Sequence, residues 1–304
     1  MLIVGKDVNH VARYVVRAGF ATSVIMQLLY FVVLFSASHM AISAPKKVLL
    51  QEWQASDESS VIVVDHSLLQ QVLDQYVVEH NQQTYVQYSL LKQAQLKQSE
   101  GSAQSLMLGR YLTSLAMVNP LILSRQEQQV YWINLYNAAT LQLMVNHYPV
   151  SSITKVGGGF FGFGPWNDNI LTVNNRPLSL NDIEHGILRP IYDDPRIHYA
   201  VSCASLSCPN LLATAFTANN IEQLLEQAAR DYINHPRGSA IEGQHVTLSK
   251  IYDWYQEDFG GSRKGVLAHI RQYADDDLIK KLDHLQAPVV EYGYDWQLND
   301  WPIL

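Results

Sequence analysis

Both cysteines of the chain, Cys203 and Cys208, stand in one segment, RIHYAVSCASLSCPN, Arg196 to Asn210. Ile197 to Val201 reads as a β-like run that leads straight into Cys203, and Pro209 stops the segment. A thiol becomes a nucleophile when a nearby imidazole takes its proton, and a strand end would hold it rigidly at the edge of a cleft. His185, in the helical pattern SLNDIEHGILR, is the preferred base. The same two cysteines, exported to an oxidising compartment, would instead close a small structural disulfide. So short a loop would gain about 2 kcal/mol or less from the bridge. Both readings stay open at this level.

Other residues are candidates to orient the imidazole. Asp182 lies three positions before His185 and shares its helix face, whereas Glu184 points about 100° away. Asn137 and Asp253 are equally good partners from elsewhere in the chain. His198 is the rival base, but positions 198 and 203 of a regular strand face opposite sides; a turn at Ser202 would undo that objection. Taken singly, each histidine reads more simply as a surface or structural group. Asn134 and Asn137 share a face of one helix and would orient a histidine or donate to an oxyanion. The simpler role is structural, bonding the backbone of the glycine loop.

Metal and cofactor chemistry has less behind it. His185, Asp193, Asp194, His198 and Cys203 are numerous enough for a metal, yet no HExxH, Cys-x-x-Cys or EF-hand spacing is present. The glycine-rich GGGFFGFG, Gly157 to Gly164, lacks the Gly-Lys-Ser/Thr of a nucleotide loop. No cofactor and no metal are expected. A thiol redox role is disfavoured by the four-residue spacing of the cysteines.

The elements that must position these groups follow from patterning. Lys6, Arg13 and Arg17 precede an uncharged run, Ala18 to Ser38, whose apolar core is Val24 to Phe35; small residues follow. That is the order of a secretory signal, with the basic flank inside and the remainder exported. The run also approaches a bilayer span of roughly 20 residues, so an uncleaved inner-membrane anchor is the alternative to a cleaved signal. The expected address is the periplasm or the exterior, and membrane association follows only if residues 1–44 are retained. The chain carries 21 Lys+Arg against 28 Asp+Glu, a net charge of −7. This mild acidity argues against a nucleic-acid partner, which demands a basic face, and none is expected.

Residues 45–123 read as a linker and a helical N-terminal lobe, and 124–304 as the core domain. Asp65 caps a first helix through Leu73 and Val77. Ser124 and Glu127 form a capping box for YWINLYNAATLQLMVNHY, apolar on nearly every side and therefore buried. Ile170–Val173 and Arg176–Leu178, joined by Asn174-Asn175, form a short hairpin. Ser179 and Asp182 cap the helix of His185. Asn219–Asn234 is amphipathic, Val246–Leu248 is a strand, KIYDWYQEDF is an aromatic helix, and VVEYGYDWQL is strand-like. Helices precede, interleave with and follow a few short strands with no βαβ alternation, so the class is α+β with a small mixed or antiparallel sheet.

Five ordered blocks, WINLYNA, DIEHGILR, DPRIHYAVSCASLSCPNL, LSKIYDWYQEDFG and YDWQLN, resemble the family called domain of unknown function 547. The resemblance spans roughly Ser124 to Asp258 and brings no agreed activity. A distant similarity of that family to papain-like or transglutaminase-like hydrolases implies a thiol nucleophile with a histidine base. Only Cys203 or Cys208, with His185 or His198, can match. Relatives that keep the first cysteine and carry serine at the second favour Cys203 and weigh against an obligatory bridge. The expectation is a cysteine-dependent amide or peptide hydrolase or acyl transferase of the envelope, acting on a peptide or small amide. The alternative is a non-catalytic envelope binding module stapled by Cys203–Cys208.

Overall fold

The computed structural model describes residues 45–97, 107–157 and 164–301. The signal or anchor expected in 1–44 and most of the glycine loop lie outside these residues. Among the described residues no helix is long and apolar enough to cross a membrane. The architecture is α+β, with helices carrying most of the core and three small sheets placed around them.

The organising element is a helix of 23 residues, α4, Arg125–His147, buried along most of its length. Ser124 caps it by accepting from the Glu127 amide at 3.3 Å. The expected return bond of a capping box is replaced: the Glu127 carboxylate accepts from Val64 N at 2.7 Å and ties the linker to the helix. Among the described residues three shorter α-helices precede it, α1 (Ser67–Tyr76), α2 (Tyr88–Leu96) and α3 (Met107–Ala116). Between α1 and α2 lies a hairpin that patterning does not suggest, β1 (Val77–His80) with β2 (Gln83–Val86). Asn81 and Gln82 take positive φ there, the mirror-image turn that fits strand twist. The expected hairpin, β3 (Leu171–Val173) with β4 (Arg176–Leu178), turns on Asn174 and Asn175 at φ 48° and 62°.

Next comes a π-helix, Asp182–Leu188, running directly into α5, Arg189–Tyr192. Ser179 and Asp182 cap it reciprocally: Ser179 N donates to the Asp182 carboxylate at 2.8 Å, and Asp182 N donates to Ser179 Oγ at 3.1 Å. The run before Cys203 is not a strand. Ile197–Ala200 forms a single helical turn, α6, and only Val201 returns to extended backbone. The β-branched and aromatic residues there satisfy burial, every one of the four being buried, so the apolar run signalled the core and not the strand. The alternation argument about His198 therefore falls.

Helix α7 (Ile221–Asn234) leads to a mixed three-stranded sheet: β5 (Ser239–Glu242) antiparallel to β6 (His245–Ser249), and β6 parallel to β7 (Val289–Gly293). The aromatic segment after β6 is helical only as α8, Ile251–Trp254, and then turns through Phe259. Beyond it Glu257 and Asp258 reach across to Arg189. Helices α9 (Arg263–Tyr273) and α10 (Asp276–Asp283) close a second apolar cluster with α7 and β6. The first cluster, from Trp53 to Leu298, surrounds α4 and carries the site.

Candidate functional site

Cys203 sits in a loop fixed from two sides. Asn137 of α4 donates to Ala200 O at 2.9 Å and accepts from Ser202 N at 2.9 Å, holding the backbone just before the thiol. Both of these bonds go to the backbone of the cysteine segment and not to the glycine loop expected for it. Asn134 clamps Phe216 in the same two-bond manner. On the other side the C-terminal run pairs with the loop: Leu206 N donates to Gln297 O at 2.8 Å, Ser207 N to Asp295 O at 3.1 Å, and Asn299 N to Ala204 O at 3.3 Å. This pairing brings Tyr294 onto the thiol. Ala204, the residue after Cys203, is left-handed at φ 59°, a conformation that costs a non-glycine residue about 1 kcal/mol or more.

The sulfur environment is compact. Cys203 and Cys208 are free thiols with Sγ atoms 2.9 Å apart, and Cys203 N donates to Cys208 Sγ at 2.8 Å. Tyr294 Oη lies 3.1 Å from Cys203 Sγ and accepts from Ser205 Oγ, also at 3.1 Å; Ser205 Oγ is 3.5 Å from the sulfur. Cys203 is half-buried, whereas Cys208 is 4% exposed. The hydrogen bond with Cys208 lowers the Cys203 pKa against the opposing effect of burial, helped by Ser205 and Tyr294. Burial pushes Cys208 well up, and so does its bond with Cys203. One thiol is poised to ionise and its neighbour to stay protonated.

The histidines belong to a second cluster. His185 Nδ1 is 3.1 Å from Arg189 Nη1. A guanidinium only donates, so that nitrogen is an acceptor and its lone pair is committed. Burial, with Arg189 adding, brings His185 down to about 4 despite Glu184, and it is neutral near pH 7. His198 stacks on Tyr255 at 4.3 Å between centroids and places Nε2 2.7 Å from Asp258 Oδ2, while Nδ1 lies 3.6 Å from Glu184 Oε1. Burial opposes the charge of Glu184, yet His185, His198 and Arg189 hold its carboxyl down to about 2. Arg189, 3% exposed, forks onto Asp258 at 2.6 Å and Glu257 at 2.8 Å. Burial disfavours the Asp258 carboxylate as well, but His198 and Arg189 keep its pKa low.

The predicted residues thus divide between two neighbouring clusters. Cys203 and Asn137 build the thiol loop; His185, His198 and Glu184 build the ionic cluster; Asp182 serves as a cap. Glu184 and His185, expected on diverging faces, are both buried, with Glu184 Oε1 4.0 Å from His185 Nδ1. Glu184 is close enough for its charge to raise the Cys203 pKa, but the hydrogen bonds of Cys203 go to Cys208, Ser205 and Tyr294. Asp253 is exposed, and the nearby Asp258 bonds His198 and Arg189 instead. Arg189, Asp258 and Tyr294 are the residues sequence reasoning missed. Arg189 left one signal, a basic residue four positions after His185 in an apolar run.

The family model for a protein of unknown function, DUF547, matches residues 120–233. This stretch resembles that family and contains Asn137, His185, Arg189, His198, Cys203 and Cys208. Asp258 and Tyr294 lie beyond it. No curated protein and no solved structure matches the chain.

Proposed function

We propose that this is an exported envelope protein whose working group is Cys203, a thiol nucleophile for acyl transfer from an amide or peptide. One observation carries the reading: a half-buried thiol, followed by a left-handed alanine, is ringed by Cys208, Tyr294 and Ser205 at 2.9–3.5 Å. With Cys203 ionised, the Cys208 thiol and the Tyr294 phenol donate to its sulfur and favour the thiolate, which is the nucleophilic form. The thiolate adds to the carbonyl carbon, the C–N bond breaks, and the amine leaves with a proton from the Tyr294 phenol. Water or a second amine then attacks the thioester, returns a proton to Tyr294 and frees the sulfur. His185 does not serve as the base in this scheme, because its Nδ1 lone pair is held by Arg189.

The reading is tested with activated esters and amides on reduced, full-length protein, following acyl-enzyme by intact mass. A stoichiometric adduct on Cys203, absent in Cys203→Ser and retained in Cys208→Ser, is expected. No adduct across a panel of acyl groups would remove the enzyme reading.

The 2.9 Å sulfur contact also favours a second reading, a non-catalytic module in which Cys203 and Cys208 form a bridge. Protein isolated from an oxidising compartment would then carry no titratable thiol, and reduction would change its stability without conferring acylation.

A further inference from the structure

The segment Pro45–Leu50 lies extended along the π-helix. Val48 N donates to His185 O at 3.1 Å and Leu50 N to Gly186 O at 2.9 Å. These are alternate residues of the segment, and His185 O is open to an outside donor because residue 190, its partner in the π-helical pattern, is a proline with no N–H. Arg189 Nη1 donates to Pro45 O at 3.0 Å. The Leu50 side chain lies over Gly186, where a Cβ would come within 2.7 Å of it. Lys47 Nζ reaches Asp193 at 2.6 Å and Asp258 Oδ1 at 3.5 Å. That Oδ1 is buried without a hydrogen-bond partner, on a side chain only 8% exposed.

The charges around it are unbalanced without the lysine. Arg189 faces the carboxylates of Asp258 and Glu257, with Glu184 close by, so negative charge exceeds its single guanidinium, and Lys47 adds a second cation that also pairs with Asp193. The segment is otherwise lightly held, with Val48 62% exposed and Lys46 exposed. Few contacts make for local opening far below the cost of global unfolding.

We infer that the rim of the π-helix is a binding site for an extended peptide carrying a basic side chain with an apolar residue three positions later, and that Pro45–Leu50 fills it in cis. Main-chain bonds supply affinity, and the Lys47 and Leu50 subsites supply specificity, the division of labour of strand-type peptide recognition. Tethering gives the chain's own segment a high effective concentration, so a free peptide competes only when the segment is weakened. The site is independent of thiol chemistry at Cys203.

The test uses full-length protein and a fluorescein-labelled peptide of the sequence at 45–52, PKKVLLQE. Lys47→Glu, which opposes Asp193 and Asp258, should bind it at least tenfold more tightly than wild type. Alanine in the peptide at the place of Lys47 should lose that gain, and alanine at the place of Lys46 should not. A folded Lys47→Glu protein that binds no better than wild type overturns the inference, as does binding indifferent to the peptide lysine. Leu50→Ser is read in the same way if Lys47→Glu does not fold. If neither folds, hydrogen exchange on wild type decides: excess peptide must speed exchange at Val48 and Leu50, and unchanged exchange overturns the site.

Discussion

At the scale of residues, the account turns on which groups touch the Cys203 sulfur. A typical hydrogen bond contributes about 1 kcal/mol, and 1.36 kcal/mol is one pKa unit. Tyr294→Phe removes one such bond and should raise the Cys203 pKa and slow alkylation below pH 8, measured with iodoacetamide and peptide mapping. His185→Gln should leave the Cys203 profile in place, since a glutamine oxygen still accepts from Arg189 and no bond to sulfur is lost. The thiol itself was legible in the sequence, because two cysteines in one short segment admit few roles. Its partners were not. Tyr294 lies 91 positions away in sequence, and nothing in local spacing marks a tyrosine of the C-terminal run as a thiol donor.

At the scale of elements, two devices hold the site, and each has a measurable cost. Asn137 satisfies one amide and one carbonyl of the turn before Cys203. Asn137→Ala strands both in a buried setting, which should cost about 2–4 kcal/mol in urea unfolding. Arg189 compensates Asp258 at the end of the π-helix. Arg189→Met removes the nearest counter-charge of that carboxylate, leaving His198 and Lys47, and should destabilise by up to about 3–5 kcal/mol. Patterning located the helix of Asn137 and the cap at Ser179 and Asp182, because 3.6-residue periodicity and capping chemistry are local. It misread Ile197–Val201 as a strand, since a short, buried, mostly apolar run satisfies either backbone. It also ran the aromatic helix through Asp258, whereas the helix stops at Trp254 and Asp258 pairs with a distant arginine.

At the scale of the molecule, buried histidines set the response to acid. His66, His185 and His269 are each lowered from 6.5 to about 4, with burial the largest cause in all three. The unfolded chain takes up these protons as pH falls below 6.5, whereas the folded chain resists until about 4, so their contribution to stability is lost across that window. Glu184, lowered from 4.5 to about 2, extends the loss: its contribution is complete above 4.5 and fades as pH falls toward 2. The melting temperature should decline from near pH 6.5 downward, followed by circular dichroism. A melting temperature flat between pH 7 and 5 would contradict these burials. The α+β class was readable from the order of helical and extended patterns. The partition of the histidines and the thiol into adjoining clusters was not, because α4, the π-helix and the C-terminal run meet only in three dimensions.

The most direct measurement is the pH dependence of Cys203 alkylation on reduced, full-length protein, compared among wild type, Tyr294→Phe and His185→Gln. The account predicts a midpoint below the ordinary thiol value of 9.0, raised by Tyr294→Phe and unmoved by His185→Gln. A midpoint at or above 9.0, or a low midpoint abolished by His185→Gln, would contradict a thiolate stabilised by its own loop.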